Sequence, residues 1–270
     1  PDLDGYLLVT RTEAGWQLKL VSSTLTDGQL CDGFVMSAAW PLLDWSENQN
    51  CATVWNAYTT NGVAKWCFDG YYRFTPSNYV PTGENYYYRC VASYLIRLMA
   101  EQIGVCEAAP NLTICMLDVL VQEQNAYGFW PTQPESEWLS GDFQIADGFY
   151  DTRFNTDLIE IFVRANNDLG GGLYLDTVKR YAAFYQALAE ENHAETENGG
   201  WLVADYWHPQ LHDLTHTSLN HLAAECLAAY HLADILRDES LRETADKLLL
   251  AIEDTGSDWI KPTWDLYYSI

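Results

Sequence analysis

The spacing of apolar residues changes near residue 84 of the chain. Before that point, two runs rich in β-branched and aromatic residues, Tyr6 to Thr10 and Trp16 to Val21, flank a turn that contains Gly15. This pattern predicts a β-hairpin. We therefore predict that residues 1–84 form an N-terminal lobe of β and irregular structure.

From residue 85 onward, apolar residues recur every three to four positions, which is the period of an α-helix that packs on one face. The predicted helices come in pairs, and each pair is followed by a loop that carries tryptophan: 85–103 with 110–124, 154–169 with 173–191, and 218–236 with 241–253. Helical hairpins of this size that close around a shared axis form an α/α toroid. The sequence therefore predicts a mainly α fold, an incomplete α/α toroid over 85–270 with an N-terminal β-containing lobe.

One segment between a helix and a loop has a distinctive composition. Residues 120–130 read LVQEQNAYGFW and resemble the Gln-Trp motif found in the toroids of terpene cyclases. The acidic Asp-x-Asp-Asp signature of those cyclases is absent from the sequence. We interpret the motif as a tie between a helix end and the loop that follows, and not as a sign of terpenoid chemistry.

The charge balance narrows the class of ligand. The chain has 14 Lys and Arg against 38 Asp and Glu, a net charge of −24, which opposes binding to nucleic acid or to an anionic membrane surface. The sequence has no run of about 18 apolar residues, so no membrane span is expected. The same charge disfavours an anionic substrate unless a local basic patch overrides it, which screening over about 8–10 Å allows.

Aromatic residues favour a carbohydrate ligand. The chain has 11 Trp and 18 Tyr, and many of them lie beside Gly, Asn or Asp in predicted loops. Flat rings with a polar edge suit the faces of sugars, whereas packing in the core and at loop bases is the alternative. Trp130, Trp201 and Trp207 are the candidates for substrate binding.

The seven cysteines form no CxxC pair, and we interpret four of them as free thiols buried on apolar faces of predicted helices: Cys90, Cys106, Cys115 and Cys226. Free thiols favour a cytoplasmic location, and a glycan substrate favours a secreted or periplasmic one. The sequence leaves the oligomeric state open.

The densest set of groups that transfer protons lies between residues 199 and 221. This stretch holds Asp205, Tyr206 and four of the six histidines, and it joins a Gly-Gly-Trp loop to a predicted helix. Two of these histidines, His212 and His216, are four residues apart and could share a divalent metal. No Glu lies between them, so solvated loop histidines are the simpler interpretation, and we expect no cofactor.

The helix after this stretch begins with polar residues. Thr217 is a suitable N-cap, which puts Asn220 and His221 in the first helical turn. Positive potential at a helix N-terminus disfavours imidazolium, so we expect His221 to be neutral and available as a base. Glu225 lies one turn later on the same face and is placed to orient His221. Tyr206, one loop earlier, is a candidate proton donor.

The segment 218–225, SLNHLAAE, is followed by a helix rich in Ala and Leu. It resembles the Asn-His segment of toroidal polysaccharide lyases of the heparinase II/III and alginate lyase kind. The paired helices and the Gly-Gly-Trp loop also look like the C-terminal domain of glucuronyl C5-epimerases. These resemblances imply an enzyme that removes the C5 proton of a uronate sugar in an oligo- or polysaccharide, with His221 as base, Tyr206 as acid and Asn220 as the group that neutralises the carboxylate.

Arg153 is the candidate for a contact with the substrate carboxylate, which a guanidinium can bind through two hydrogen bonds. The alternative is an ion pair of Arg153 with Asp151 or Asp157.

Two other hypotheses fit the same sequence. A glycoside hydrolase needs two carboxylates about 5–9.5 Å apart, and six aspartates lie in or near the predicted loops: Asp142, Asp147, Asp151, Asp157, Asp205 and Asp213. The other hypothesis is a non-catalytic toroid that binds glycans through its aromatic loops.

Overall fold

The computed structural model describes residues 5–22, 38–40, 71–74, 88–91, 93–133, 137–210, 213–263 and 265–270. Contacts divide the chain into two units, Pro1–Met36 and Ser37–Ile270. Most residues between 23 and 87 lie outside the described ranges, so the predicted boundary between residues 84 and 85 stays a prediction.

The first unit contains the predicted β-hairpin. Strand β1, Gly5–Thr12, pairs antiparallel with β2, Gly15–Ser22, and Thr12 lies opposite Gly15. Gly15 has a φ of 135°, a conformation that residues with a Cβ rarely adopt. The glycine therefore permits the tight turn, and the prediction of a hairpin is confirmed.

The second unit is mainly helical. Its described residues form seven helices: α1 Ser93–Ala100, α2 Ala109–Glu123, α3 Glu137–Phe143, α4 Thr152–Asp168, α5 Leu175–Glu191, α6 Leu219–Leu236 and α7 Glu239–Asp254. Three antiparallel pairs of short strands accompany them: β3 Tyr71–Phe74 with β4 Tyr88–Val91, β5 Tyr150–Asp151 with β8 Tyr206–Trp207, and β6 His193–Glu195 with β7 Trp201–Val203. Within the described part of the chain, no helix has both the length and the apolarity that crossing a bilayer requires.

Five of the six predicted helices lie within two residues of their predicted ends. The prediction of a helix over 85–103 is wrong in its first half, because residues 88–91 pair with β3 and the helix begins only at Ser93. The seven-residue helix α3 was not predicted, since two turns are too short to show a clear period.

Helices α4 and α6 run side by side in the same direction. Near their starts, Arg153 donates a hydrogen bond to the Asn220 carbonyl (3.2 Å), and farther along both helices His231 contacts Glu160. α5 follows α4 after a glycine-rich turn, and α7 follows α6 after two residues. Most of α4 is buried, and its partly or fully exposed residues are 153, 154, 157, 160, 164, 167 and 168. We therefore assign α4 and α6 as the inner helices of two successive hairpins.

The Gln-Trp segment ties α2 to its neighbours, as we interpreted from the sequence. The Gln124 side-chain amide donates to the carbonyls of Gly128 (2.7 Å) and Thr177 (3.2 Å), and the Trp130 indole N–H donates to the Leu120 carbonyl (2.6 Å). These bonds join the end of α2 to the loop that follows it and to the first turn of α5. The motif is therefore structural.

Three cysteines in the described ranges are free thiols: Cys106, Cys115 and Cys226. Cys226 is buried in α6, whereas Cys115 is exposed. The predicted packing of a thiol against the core therefore holds for Cys226 and is wrong for Cys115.

Candidate functional site

Asp205 is the buried centre of the candidate site. It lies in the turn between β7 and β8 and is 0% exposed. Its carboxylate accepts hydrogen bonds from the backbone N–H (2.8 Å) and the hydroxyl of Ser218, the N-cap of α6, and its backbone carbonyl accepts one from the Thr152 N–H (3.0 Å). The N-cap is therefore Ser218, one residue after the predicted Thr217. Asp205 holds the starts of both inner helices.

His221 lies in the first turn of α6, directly against Asp205. Its Nδ1 shares a hydrogen bond with the Thr152 hydroxyl (2.6 Å) and lies 3.6 Å from the Asp205 carboxylate. Only 4% of His221 is exposed, and this burial lowers its pKa. The neutral imidazole is favoured because a buried positive charge is poorly solvated. The helix end named in the sequence prediction is thus not the main cause.

Tyr206 and His216 complete the cluster. The Tyr206 ring lies 6.0 Å from the His221 ring on one side and 5.9 Å from the His216 ring on the other. His216 Nε2 is 3.3 Å from the Asp205 carboxylate, and Trp138 stacks on the His216 ring. The structure therefore brings together four groups that the sequence pattern singled out.

No group of three or more metal-ligating side chains occurs among the residues that the structure describes. His216 contacts aromatic rings and Asp205 instead, and His212 lies outside the described residues.

Two buried carboxyl groups flank the cluster. Asp151 is the N-cap of α4 and accepts a hydrogen bond from the Phe154 N–H (3.0 Å), and burial raises its pKa to about 7. Glu225 is 0% exposed and faces the Tyr185 hydroxyl, and neither of its oxygens has a hydrogen-bond partner of standard geometry in the described part of the chain. Burial raises the pKa of Glu225 well above its ordinary value, so both carboxyl groups favour the protonated form.

A cavity of about 620 Å³ opens between α1, α4 and α6 beside this cluster. Arg153 and Asn220 line its wall next to the start of α6. The Asp157 carboxylate accepts hydrogen bonds from Arg153 (2.9 Å) and from Arg97 (3.0 Å). The ion pair of Arg153 with Asp157 that we considered does form, and Arg97 binds the same carboxylate.

Besides burial, the charges of Arg153 and Asp157 act on the pKa of His221, in opposite directions. His221 follows Asn220 in the chain, and its own side chain does not line the cavity.

Trp130 and Trp207 pack against protein. Trp130 is 0% exposed, with its ring stacked 5.3 Å from Phe162 and 6.0 Å from Tyr181. Trp207 is half-buried and meets Phe184 edge-on at 5.6 Å. Neither tryptophan lines the cavity between α1, α4 and α6.

Trp201 is clamped on both faces. The His193 ring stacks on one face at 4.3 Å, and the Lys247 ammonium lies 3.7 Å from the ring centre. The preceding Gly200 touches α7 so closely that an added Cβ would lie 2.4 Å from the Ala251 nitrogen. The Gly-Gly-Trp loop is thus fixed to α7 by packing and by a cation–π contact.

Of the six aspartates that a hydrolase hypothesis would use, only Asp157 lines this cavity. Asp151 and Asp205 are buried at helix N-termini.

The sequence pattern did not point to Glu160 and His231. The Glu160 carboxylate accepts from His231 Nδ1 at 2.7 and 3.0 Å, which links α4 to α6. Glu160 lines the first cavity, and both residues line a second one of about 440 Å³. Their separation of 71 residues gives no spacing signal, although Glu160 lies on the polar stripe of a helix that is otherwise buried.

No protein-family model and no curated protein sequence matches the chain. Among solved structures, it is similar to a cellobiose 2-epimerase from Bacillus thermoamylovorans, with a TM-score of 0.58 and 10% sequence identity. The match covers 82% of this chain and 57% of that one, so the chain spans little more than half the length of that structure. At this identity the likeness shows the fold, and the predicted fold class, mainly helical with hairpins in an incomplete α/α toroid, is confirmed.

Proposed function

We propose that this protein is a carbohydrate-processing enzyme that removes the C5 proton of a uronate sugar, which leads to epimerisation or β-elimination. One juxtaposition carries the proposal. The cavity wall that Arg153 and Asn220 form lies beside His221, whose imidazole contacts Asp205 and whose pKa is lowered by burial.

The arginine end of the cavity suits a carboxylate. Arg97 and Arg153 share the Asp157 carboxylate, so each guanidinium keeps N–H groups that a ligand can bind. The described lining of the whole cavity is balanced, with Glu101, Asp157 and Glu160 against three arginines. We therefore expect direct hydrogen bonds to Arg153, and not a net positive charge of the cavity, to hold an anionic substrate on a chain with a net charge of −24.

Access to the base follows from the same contacts. Arg153 donates to the backbone carbonyl of Asn220, and this bond closes the wall in front of His221. A substrate carboxylate would compete for the guanidinium and open the wall, since a charged acceptor binds arginine more strongly than a neutral carbonyl does. The Asn220 side chain, which is exposed at this point, would donate to the second carboxylate oxygen.

His221 would then take the C5 proton, and Asp205 would stabilise the imidazolium that forms. In the tautomer in which Nδ1 donates to the Thr152 hydroxyl, Nε2 is the nitrogen that accepts the proton. Tyr206, next to His221, would supply a proton to the leaving oxygen or to the opposite face of C5.

A second candidate is epimerisation at C2 of a reducing sugar, which the shared fold with a cellobiose 2-epimerase favours. Removal of a proton next to a carbonyl carbon is common to both reactions, so the same base serves either. The two candidates differ in whether the carbonyl belongs to a carboxylate or to an aldehyde.

Incubation in heavy water distinguishes them. The protein would be mixed with a β-(1→4)-linked tetrauronate or with cellobiose, and nuclear magnetic resonance would locate incorporated deuterium. We expect exchange at C5 of the uronate, together with an ultraviolet-absorbing product if elimination follows. The variant His221→Ala should abolish deuterium exchange. The control variant His193→Ala should not, because His193 lines neither of the two cavities.

Exchange at C2 of cellobiose alone would overturn the first candidate in favour of the second. If neither sugar takes up deuterium and no ultraviolet-absorbing product forms, both candidates are overturned, even if new reducing ends appear.

A further inference from the structure

The Asp205 carboxylate is shared by two histidines. His221 Nδ1 lies 3.6 Å from one carboxylate oxygen, and His216 Nε2 lies 3.3 Å from the other. Asp205 is 0% exposed, so water does not screen these contacts. A single carboxylate carries one negative charge and can therefore offset the charge of only one imidazolium at a time.

The two imidazoles differ in their other polar contacts. His221 Nδ1 shares a hydrogen bond with the Thr152 hydroxyl at 2.6 Å, which a neutral ring can make. His216 Nε2 has no hydrogen-bond partner of standard geometry in the described part of the chain. Its approach to the carboxylate therefore gains most when the His216 ring carries a proton.

Solvent access also differs between the two rings. The His216 side chain is 23% exposed, whereas that of His221 is 5% exposed. A positive charge loses less hydration on the more exposed ring. We therefore expect His216 to be protonated before His221 as the pH falls.

The ring contacts of His216 come from three elements. α3, β8 and the C-terminal segment place aromatic rings within 6.3 Å of it: Trp138, Phe143, Tyr206 and Tyr268. The two tyrosines are the titratable groups among them. Tyrosine is neutral below about pH 10, so these contacts hold the His216 ring in place without adding a charge near neutral pH.

The charges around His221 leave His216 a distinct effect. Arg153 and Asp157, both on α4, shift the pKa of His221 in opposite directions, and so do His216 and Asp205. Two buried carboxyl groups, Asp151 and Glu225, also feel the charge of Asp205, and burial favours the protonated form of both.

We propose that His216 is a positioning residue that competes with His221 for the Asp205 carboxylate. When His216 is protonated, it pairs with Asp205 and His221 remains a neutral imidazole. When His221 takes up a proton, Asp205 stabilises the new imidazolium in full only after His216 has released its own proton to the solvent. The role of His221 as a base rests on the proposed function, whereas the competition between the two rings does not.

Nuclear magnetic resonance of the free protein tests the competition without a substrate. The Cε1–H signal of His221, identified by its loss in His221→Ala, would be followed between about pH 4.5 and pH 8.5. His216→Phe and His216→Gln both remove the competing charge, and the Phe ring can still stack on Trp138. We expect both variants to move the midpoint for His221 to higher pH by roughly half a unit to one unit. His193→Phe, at a ring that stacks on Trp201 instead, is the matched control and should not move it.

The wild type supplies a measurement that needs no variant. Because the two rings share one counter-charge, their titration curves should be coupled, with two steps in each. Independent curves of one step each would overturn the proposal, as would an unchanged or lower midpoint for His221 in the His216 variants.

Turnover separates this proposal from the proposed function. The acid side of the pH profile for deuterium exchange should move with the His221 midpoint in His216→Phe, which a purely structural role of His216 would not cause. A profile that stays in place while the midpoint rises would overturn the positioning role. If the midpoint rises but no sugar takes up deuterium, the competition stands and the proposed function is refuted.

Discussion

Asp151 links the site to the stability of the fold. Its carboxylate caps α4 and is 3% exposed, and burial raises its pKa from 3.8 to about 7, with the charge of Asp205 adding to the rise. Between these two pKa values, the folded state binds more protons than the unfolded state. The contribution of Asp151 to stability is therefore complete below about pH 4 and is lost as the pH rises through about 7.

Replacement of Asp151 by Asn removes this titration. Asn is as good an N-cap as Asp, so the hydrogen bond to Phe154 is kept. With a pKa of 3.8 in the unfolded state and about 7 in the folded state, ionisation of Asp151 costs the wild type about 2–3 kcal/mol more at pH 8 than at pH 5. The free energy of unfolding of Asp151→Asn, relative to wild type, should rise by that amount over the same range.

Urea unfolding followed by circular dichroism between pH 5 and pH 8 measures the difference. Asp213→Asn changes an exposed aspartate and should run parallel to the wild type. If Asp151→Asn also runs parallel, the carboxyl group is not desolvated and the reasoning is refuted.

Two further predictions concern the scaffold. Asp205→Ala should lower the free energy of unfolding by about 3–5 kcal/mol, because two buried hydrogen bonds from the N-cap of α6 lose their charged acceptor. In chemical denaturation, the control variant Asp213→Ala at an exposed site should change the free energy of unfolding by no more than about 0.5 kcal/mol. A loss below about 1 kcal/mol for Asp205→Ala would contradict the capping role of Asp205. Gly200→Ala should lower the melting temperature, because the new Cβ would overlap the backbone of Ala251. At Gly141 an added Cβ meets nothing within 4 Å, so Gly141→Ala should stabilise the protein by about 0.5–1 kcal/mol. Calorimetry that showed equal effects for the two glycines would contradict the close approach.

Local patterns predicted the elements but not their surroundings. The helices α4 to α7 were predictable because apolar residues recur at helical spacing over four or more turns in each. The strand β4 could not be predicted, because its four residues are extended through pairing with β3. The sequence of residues 88–91 alone does not indicate that pairing.

The candidate site was predictable where its residues are neighbours in the chain. Tyr206 and His221 could be grouped because both flank one loop. The environment of Trp201 could not be foreseen, because its covering residues come from β6 and α7. The contact of Glu160 with His231 depends on the alignment of two helices, which tertiary packing sets.

The double attachment of Asp205 has a consequence for the order of folding. Each helical hairpin can form from contacts close in sequence, which is fast. The bonds from the Thr152 N–H to the Asp205 carbonyl and from Ser218 to the Asp205 carboxylate instead close loops of 53 and 13 residues, and the longer closure costs more chain entropy. We therefore expect the two hairpins to acquire their mutual alignment late, when this aspartate is buried, so that a slow refolding phase would report on assembly of the site itself.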